Sequence, residues 1–330
     1  MRIGIVGVSG YGGSELLRLC VSHPAFELAY AAGESTAGQS LAQRFPALAG
    51  HPAGAIVIQA FEPDKIRGIE LLFVSLPTGK SREPLARLPR GLKVVDVGGD
   101  HRFAQGWVYG LTELPGQREA LRGAARVANP GCYPAAALLA LAPLLRDGLV
   151  EPEGIVIDAK SGVTGTGRGG ASEFGYSETN EDAFAYGLAG HPHVPEMTEA
   201  LSRLAGRRAS LAFTPHLVPM TRGILATCYA RPRGAADAAR LFESARSCYR
   251  GEPFIKLLDA SDARRPHTKW ATGSNLAFLS YAVNAETGLV VALSAIDNLG
   301  KGAAAQAVQN ANLMTGQPET AGLGALPLWP

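Results

Sequence analysis

Cysteine and histidine are scarce in this chain, and what they fail to form narrows the chemistry. Its 330 residues include four cysteines and seven histidines, with no CxxC pair and no run of spaced histidines. That pattern builds neither a zinc site nor a disulfide framework, and no metal is implied. Charge of one sign is missing too: 31 basic residues face 29 acidic ones, which removes the electrostatic reason to expect nucleic acid as a partner. No uncharged apolar run reaches membrane-spanning length, and the amino terminus lacks a charged head, apolar core and cleavage site. These absences lead to the expectation of a cytoplasmic protein that binds a small soluble molecule and no membrane. There is no internal repeat and no low-complexity linker.

What is present describes an ordinary globular protein, 46% hydrophobic and 18% charged, long enough for two packed cores. Arg2–Val8 reads as a buried strand that runs through a glycine turn into a helix over Ser14–His23. Strand-like runs follow at Phe26–Ala32, Ile56–Ala60, Leu71–Leu76 and Lys93–Val97. The alternation predicts an α/β fold, a Rossmann-type doubly wound parallel sheet. A helix is expected from Pro134 to Asp147. Beyond it, Gly154–Lys160, Leu211–Pro219, Gly223–Ala230 and Leu289–Ala295 are longer strand-like runs, which predict an α+β second domain with a mainly antiparallel sheet. Lys301–Met314 reads as one long helix able to return to the first domain.

Gly7, Gly10 and Gly13 follow the first strand with the spacing G-x-x-G-x-x-G, and Ser9, Tyr11 and Gly12 lie among them. Glycines placed between a strand and a helix allow a tight turn and close backbone approach to a pyrophosphate, so this loop is the candidate dinucleotide site. Glu34 stands where an acidic residue holds a ribose 2′-hydroxyl, which favours NAD; the hydroxyls of Ser35 and Thr36 suit the 2′-phosphate of NADP. Pro77-Thr-Gly-Lys80-Ser81 has the tail of a P-loop without its first glycine, and reads as a turn lining the cofactor cleft.

Asn129-Pro-Gly-Cys132-Tyr-Pro134 places one thiol at the expected start of a helix, where unpaired N–H groups and the helix dipole favour a thiolate. A lone cysteine is more often a buried apolar residue, and Cys20, Cys228 and Cys248 fit that description. A thioester-forming cysteine needs a proton handler, and Gly190-His191-Pro-His193-Val-Pro-Glu196 supplies two imidazoles that face one side of an extended backbone, with Glu196 to fix one tautomer. Lys160-Ser161-Gly162-Val-Thr-Gly-Thr-Gly-Arg168 has the glycines and hydroxyls of an anion or cofactor loop bracketed by two cations. Arg102 is a second candidate for an anion, though a structural ion pair suits it equally.

These blocks resemble the N-acetyl-gamma-glutamyl-phosphate reductases of the semialdehyde dehydrogenase group along nearly the whole chain. The likeness is carried by Gly7–Leu16, Asn129–Ala135, Ser161–Arg168, His191–Glu196, Phe213–Pro219, Arg222–Ala226 and Ala295–Gly302. It implies NADPH-dependent reduction of an acyl phosphate to an aldehyde by a homodimer or homotetramer. It also implies an NADP-binding domain over residues 1–133, with a helix from about 300 to 330, and a catalytic, dimerising domain over 134–299. Under it Cys132 is the nucleophile, His191 or His193 the acid/base, and Gly10, Gly12 and Gly13 the cofactor loop, with Ser161, Gly162 and Asn298 toward the nicotinamide. Arg102, Asn129, Lys160, Arg168 and Glu196 fall to substrate and phosphate. Three blocks depart from the family pattern: Asp100-His101-Arg102, Tyr109-Gly-Leu-Thr112-Glu113 and Leu76-Pro77-Thr78. A carrier-linked aminoadipyl-phosphate reductase, an aspartate-semialdehyde dehydrogenase and a dinucleotide sensor without chemistry are the competing readings.

Overall fold

The structure, a computed structural model, describes residues 1–169, 172–259 and 265–328. Residues 170–171, 260–264 and 329–330, which fall within the expected domain spans, lie outside the described residues. The chain divides into two compact units, the first being Met1–Gly131 with Ala303–Ala325 and the second Cys132–Gly302 with the stretch from Leu326.

The first unit is built on six strands: β1 (Arg2–Val6), β2 (Glu27–Ala32), β3 (Leu71–Val74), β4 (Lys93–Asp96), β5 (Val108–Tyr109) and β6 (Arg126–Ala128). All pair in parallel, in the order β2-β1-β3-β4-β6-β5. Ile3, Ile5, Leu71, Leu72, Phe73 and Val74 are wholly buried, as strands covered on both faces require. The strand order reverses at β1, with β2 on one side and β3 on the other, and ligands of open α/β sheets bind at the carboxyl ends of such a switch point. The glycine turn lies there. The helix that follows it runs from Tyr11 to Val21, earlier than the expected Ser14–His23, because Gly10 already accepts the first helical bond from Ser14 N–H.

Ile56–Ala60 is not a strand. It makes only isolated bridges, Ser40 to Val57 and Ala32 to Gln59, among short 3₁₀ turns started by Pro46, Pro52 and Pro63, whose missing N–H groups suit turns better than a ladder. Nor is Lys301–Met314 a single helix: Gly300–Ala304 forms a π turn and Ala305–Met314 continues as α-helix. That helix buries Gln306, Gln309, Asn310 and Asn312 completely. Their amides bond to Thr112, Glu113, Gly110 and Glu319 inside the first unit, which removes the desolvation penalty of burying them.

The second unit holds a seven-stranded mixed sheet of β7 (Ile155–Ser161), β8 (Phe184–Ala185), β9 (Leu211–Leu217), β10 (Ile224–Ala230), β11 (Ile255–Leu257), β12 (Ala277–Val283) and β13 (Val290–Ile296). Their order is β11-β12-β13-β10-β7-β9-β8. The β7–β9 and β11–β12 pairs are parallel and the rest antiparallel. Helices Cys132–Arg146, His193–Ala205 and Ala238–Cys248 pack on its Ile155, Ile157, Ala226 and Cys228 side. Tyr133 to Leu145 is buried without interruption, so the first of these helices is apolar all round and forms the centre of the core. On the opposite face Val156, Asp158, Lys160, Thr214, His216, Thr227 and Tyr229 are half-buried or exposed.

Candidate active site

Cys132 is the first residue of the helix Cys132–Arg146, two positions ahead of the expected start at Pro134, which sits within the first turn where its missing N–H costs nothing. The sulfur therefore belongs to the helix end that stabilises negative charge. None of the four cysteines forms a disulfide. Burial pushes the Cys228 thiol up to about 12 and the thiols of Cys20 and Cys248 upward too, which makes these three poor nucleophiles.

His191 and His193 are not on extended backbone. Pro192 adopts helical angles and His193 opens the helix His193–Ala205, which brings the two rings together with centroids 4.8 Å apart. The ring of Tyr133, next to the cysteine in sequence, meets both edge-on at 5.8 and 6.0 Å. Phe213 and Tyr186 close around His191 at 5.2 and 5.9 Å. Burial in this aromatic cage lowers the His191 pKa and favours the neutral imidazole. The backbone N–H of His193 donates to His191 Nδ1 at 3.1 Å, so the proton of neutral His191 lies on Nε2. Tyr133 and Tyr186 hydroxyls bond to each other at 2.9 Å, and burial holds both as phenols, Tyr186 pushed up to about 12. A thiol at a helix start, one residue before the tyrosine whose ring meets two imidazoles, belongs to a unit that has the parts needed for covalent acyl transfer.

In the first unit each glycine of the turn has its own reason. Gly7 lies at φ 79°, and a Cβ there would meet Ser75 O at 2.0 Å; one on Gly13 would meet Gly7 O at 2.0 Å. A Cβ on Gly10 would find only Gly7 O, at 3.4 Å, and Gly10, the residue before the helix from Tyr11, makes no side-chain cap. A glycine ahead of a helix start at a switch point fits the pyrophosphate of a dinucleotide.

Residues 2–124 match the family model for semialdehyde dehydrogenase, NAD binding domain, and residues 132–298 that for semialdehyde dehydrogenase, dimerisation domain. The N-acetyl-gamma-glutamyl-phosphate reductases of Bradyrhizobium sp. (strain ORS 278) and Methylobacterium sp. (strain 4-46) are each 56% identical to the chain, across 100% of it and 99% of themselves. The chain belongs to the N-acetyl-gamma-glutamyl-phosphate reductase family of semialdehyde dehydrogenases. In fold it is similar to the aspartate semialdehyde dehydrogenase of Francisella tularensis, with TM-score 0.74 at 14% identity over 96% of this chain and 100% of that one. As a member of this reductase family it is an oxidoreductase acting on a small molecule with a nicotinamide dinucleotide cofactor.

The other residues named from sequence fall into two groups. Ser35 and Glu34 are exposed on a 3₁₀ turn after β2, while Thr36 turns inward and its hydroxyl bonds to that of Ser9. Arg102 Nε donates to Asn129 O at 3.0 Å, and Arg168 is exposed. Several others are tied into the frame. Asn129 is buried, giving its amide N–H to Ala303 O at 3.0 Å and accepting from Asn310 at 2.9 Å. Lys160 pairs with Asp158 at 2.8 Å, and Glu196 is buried on the His193 helix. Asn298 accepts from Gly223 N–H at 2.7 Å and donates to Thr164 at 2.9 Å, which locks the Ser161-Gly162 loop to the start of β10; Ser161 is itself buried and donates to Gly162 O.

Three backbone N–H groups of the P-loop-like turn are already engaged. Gly79, Ser81 and Arg82 N–H groups all donate to the Asp100 carboxylate, the first of a block whose His101 bonds to buried Asp96 at 2.6 Å. Sequence reasoning missed the aromatic cage and Asp297. The signal for Tyr133 was its place beside the thiol; Phe213 opened one of the matching blocks without a role attached, nothing local marked Tyr186, and both reach His191 only through the sheet.

Proposed function

We propose that the chain reduces N-acetyl-L-glutamyl 5-phosphate to N-acetyl-L-glutamate 5-semialdehyde with NADPH, the reaction that names its relatives and belongs to arginine biosynthesis. The observation that carries this reading is Cys132 at the head of a buried helix with His191 and His193 gathered on the same unit. His193 takes the thiol proton, since His191 has its Nδ1 engaged and its proton on Nε2. The Cys132 thiolate attacks the acyl carbon, and the carbon–phosphate oxygen bond breaks to release phosphate. First-turn N–H groups of the Cys132 helix stabilise the oxyanion. When bound, the nicotinamide supplies the hydride that reduces the thioester carbonyl. His191 gives a hydrogen bond from Nε2–H to the carbonyl oxygen and keeps its proton, and His193 returns its own proton to the sulfur as the hemithioacetal oxyanion collapses to aldehyde and thiol.

Gly7, Gly10, Gly12 and Gly13, with Ser9 and Tyr11, hold the dinucleotide, and exposed Ser35 is the group offered to a 2′-phosphate, with Glu34 turned to solvent. Arg168, exposed on the same unit as Cys132, receives the phosphate. The open sheet face around Val156 and Thr227 supports a homodimer that covers it, and reduced cysteines suit the cytoplasm. The reverse reaction tests the reading: with N-acetylglutamate semialdehyde, NADP reduction should require phosphate and exceed NAD reduction, and mass spectrometry of quenched enzyme should find the acyl group on Cys132. Phosphate-independent reduction, or no adduct on that sulfur, would refute it.

A further inference from the structure

The π turn Gly300–Ala304 meets the nucleophile. A Cβ on Gly302 would stand 2.8 Å from Cys132 Cβ and 3.2 Å from its Cα, so the two backbones touch with no room for a side chain. Gly302 N–H donates to Asp297 O at 2.9 Å, five residues back, which is the widened bond of a π turn. Ordinary α-helical pairing would reach back four residues and rotate a different residue toward Cys132. The turn is also braced. Wholly buried Asp297 accepts from Leu299 and Gly300 N–H groups at 2.9 and 3.2 Å and from Gly273 N–H, and it pairs with Arg222 at 2.9 Å. Gly300 is pressed on Ser274, where a Cβ would meet the carbonyl oxygen at 2.2 Å.

A π turn is rare, costs hydrogen-bond geometry, and persists where its surroundings enforce it. We infer that this turn is a built seat for the thiol: Gly302 is a positioning residue that sets where Cys132 stands, and the Asp297–Arg222 pair holds the seat in register. The inference rests on the reading of Cys132 as nucleophile.

The test uses the full-length chain with NADPH. Gly302→Ala should lower kcat about a hundredfold, as expected for a displacement near 1 Å, with KM and dinucleotide Kd within about threefold. The pH profile of iodoacetamide alkylation at Cys132, located by peptide mass spectrometry, should move with it. Arg222→Lys keeps the charge opposite Asp297 but not the two-point fork, so it should shift the alkylation profile in the same direction by less; it serves if Gly302→Ala fails to fold. Alkylation profiles matching the parent enzyme in both variants would overturn the seat. A moved profile with unchanged turnover would uphold the seat and sink the role of the sulfur instead.

Discussion

Two helix starts in this molecule are approached by glycine, for opposite reasons. Ahead of Tyr11, a Cβ on Gly10 would meet only Gly7 O at ordinary contact, and Gly7 and Gly13 fold the backbone tightly behind it. Ahead of Tyr133, the glycine comes from far along the chain, and Gly302 closes the space against Cys132. On the reading proposed above, one start is left for a guest and the other is filled to fix a resident. The same absence of a side chain would then serve affinity in one unit and aim in the other, and only the surrounding atoms tell which.

The sharpest way to break this comparison is to remove the resident. Cys132→Ser should reduce turnover by at least about a thousandfold, since a serine hydroxyl ionises far less readily than a thiol, while dinucleotide Kd measured by fluorescence stays at the parent value. Next comes the backbone behind the guest. Alanine normally stabilises a helix relative to glycine by about 1 kcal/mol, but Gly13→Ala should cost about 3 kcal/mol in urea unfolding because its methyl meets Gly7 O. Gly10→Ala should leave stability within about 1 kcal/mol and weaken the dinucleotide roughly tenfold by calorimetry. Equal loss of stability in both variants would erase the distinction.

The smallest effect concerns the cage. His191 is buried and its pKa lowered, whereas an unfolded imidazole titrates near about 6.5. Below that pH the unfolded chain binds a proton that folded His191 resists, so stability should fall as pH drops from about 6.5 toward the lowered value. Tyr186→Ser, which admits water to the ring, should flatten that slope in thermal melts taken across the interval; an unchanged slope would remove His191 as its source.

Legibility followed locality. Strand β1, the glycine turn and the helix after it are consecutive in sequence, and each obeys a short-range rule, so this opening segment was readable in order and misjudged only at its boundaries. The apolar run of the Cys132 helix was equally plain. Ile56–Ala60 misled because a β-branched apolar run among prolines satisfies the strand pattern while its neighbours dictate turns. The histidine segment misled in the other direction: two prolines suggested extended chain, yet Pro192 and Pro195 sit at a helix start where proline is welcome. The internal bonds of Asn129 and Asn298 were hidden for another reason, because an amide that braces a loop and one that faces a ligand are the same letter in a sequence. Asp297 could be found only after the fold had gathered Gly273, Arg222 and Gly300 around it.

The carboxamides of Gln306, Gln309, Asn310 and Asn312 carry a consequence for biogenesis. The amino-terminal sheet emerges first from the ribosome, yet Gly110, Thr112, Glu113 and Asn129 have their partners on a segment translated some two hundred residues later. Until that segment arrives these groups must stay hydrated. The unit made first is therefore sealed last, and a nascent chain stalled before Ala305 would carry a nucleotide-binding half it cannot finish.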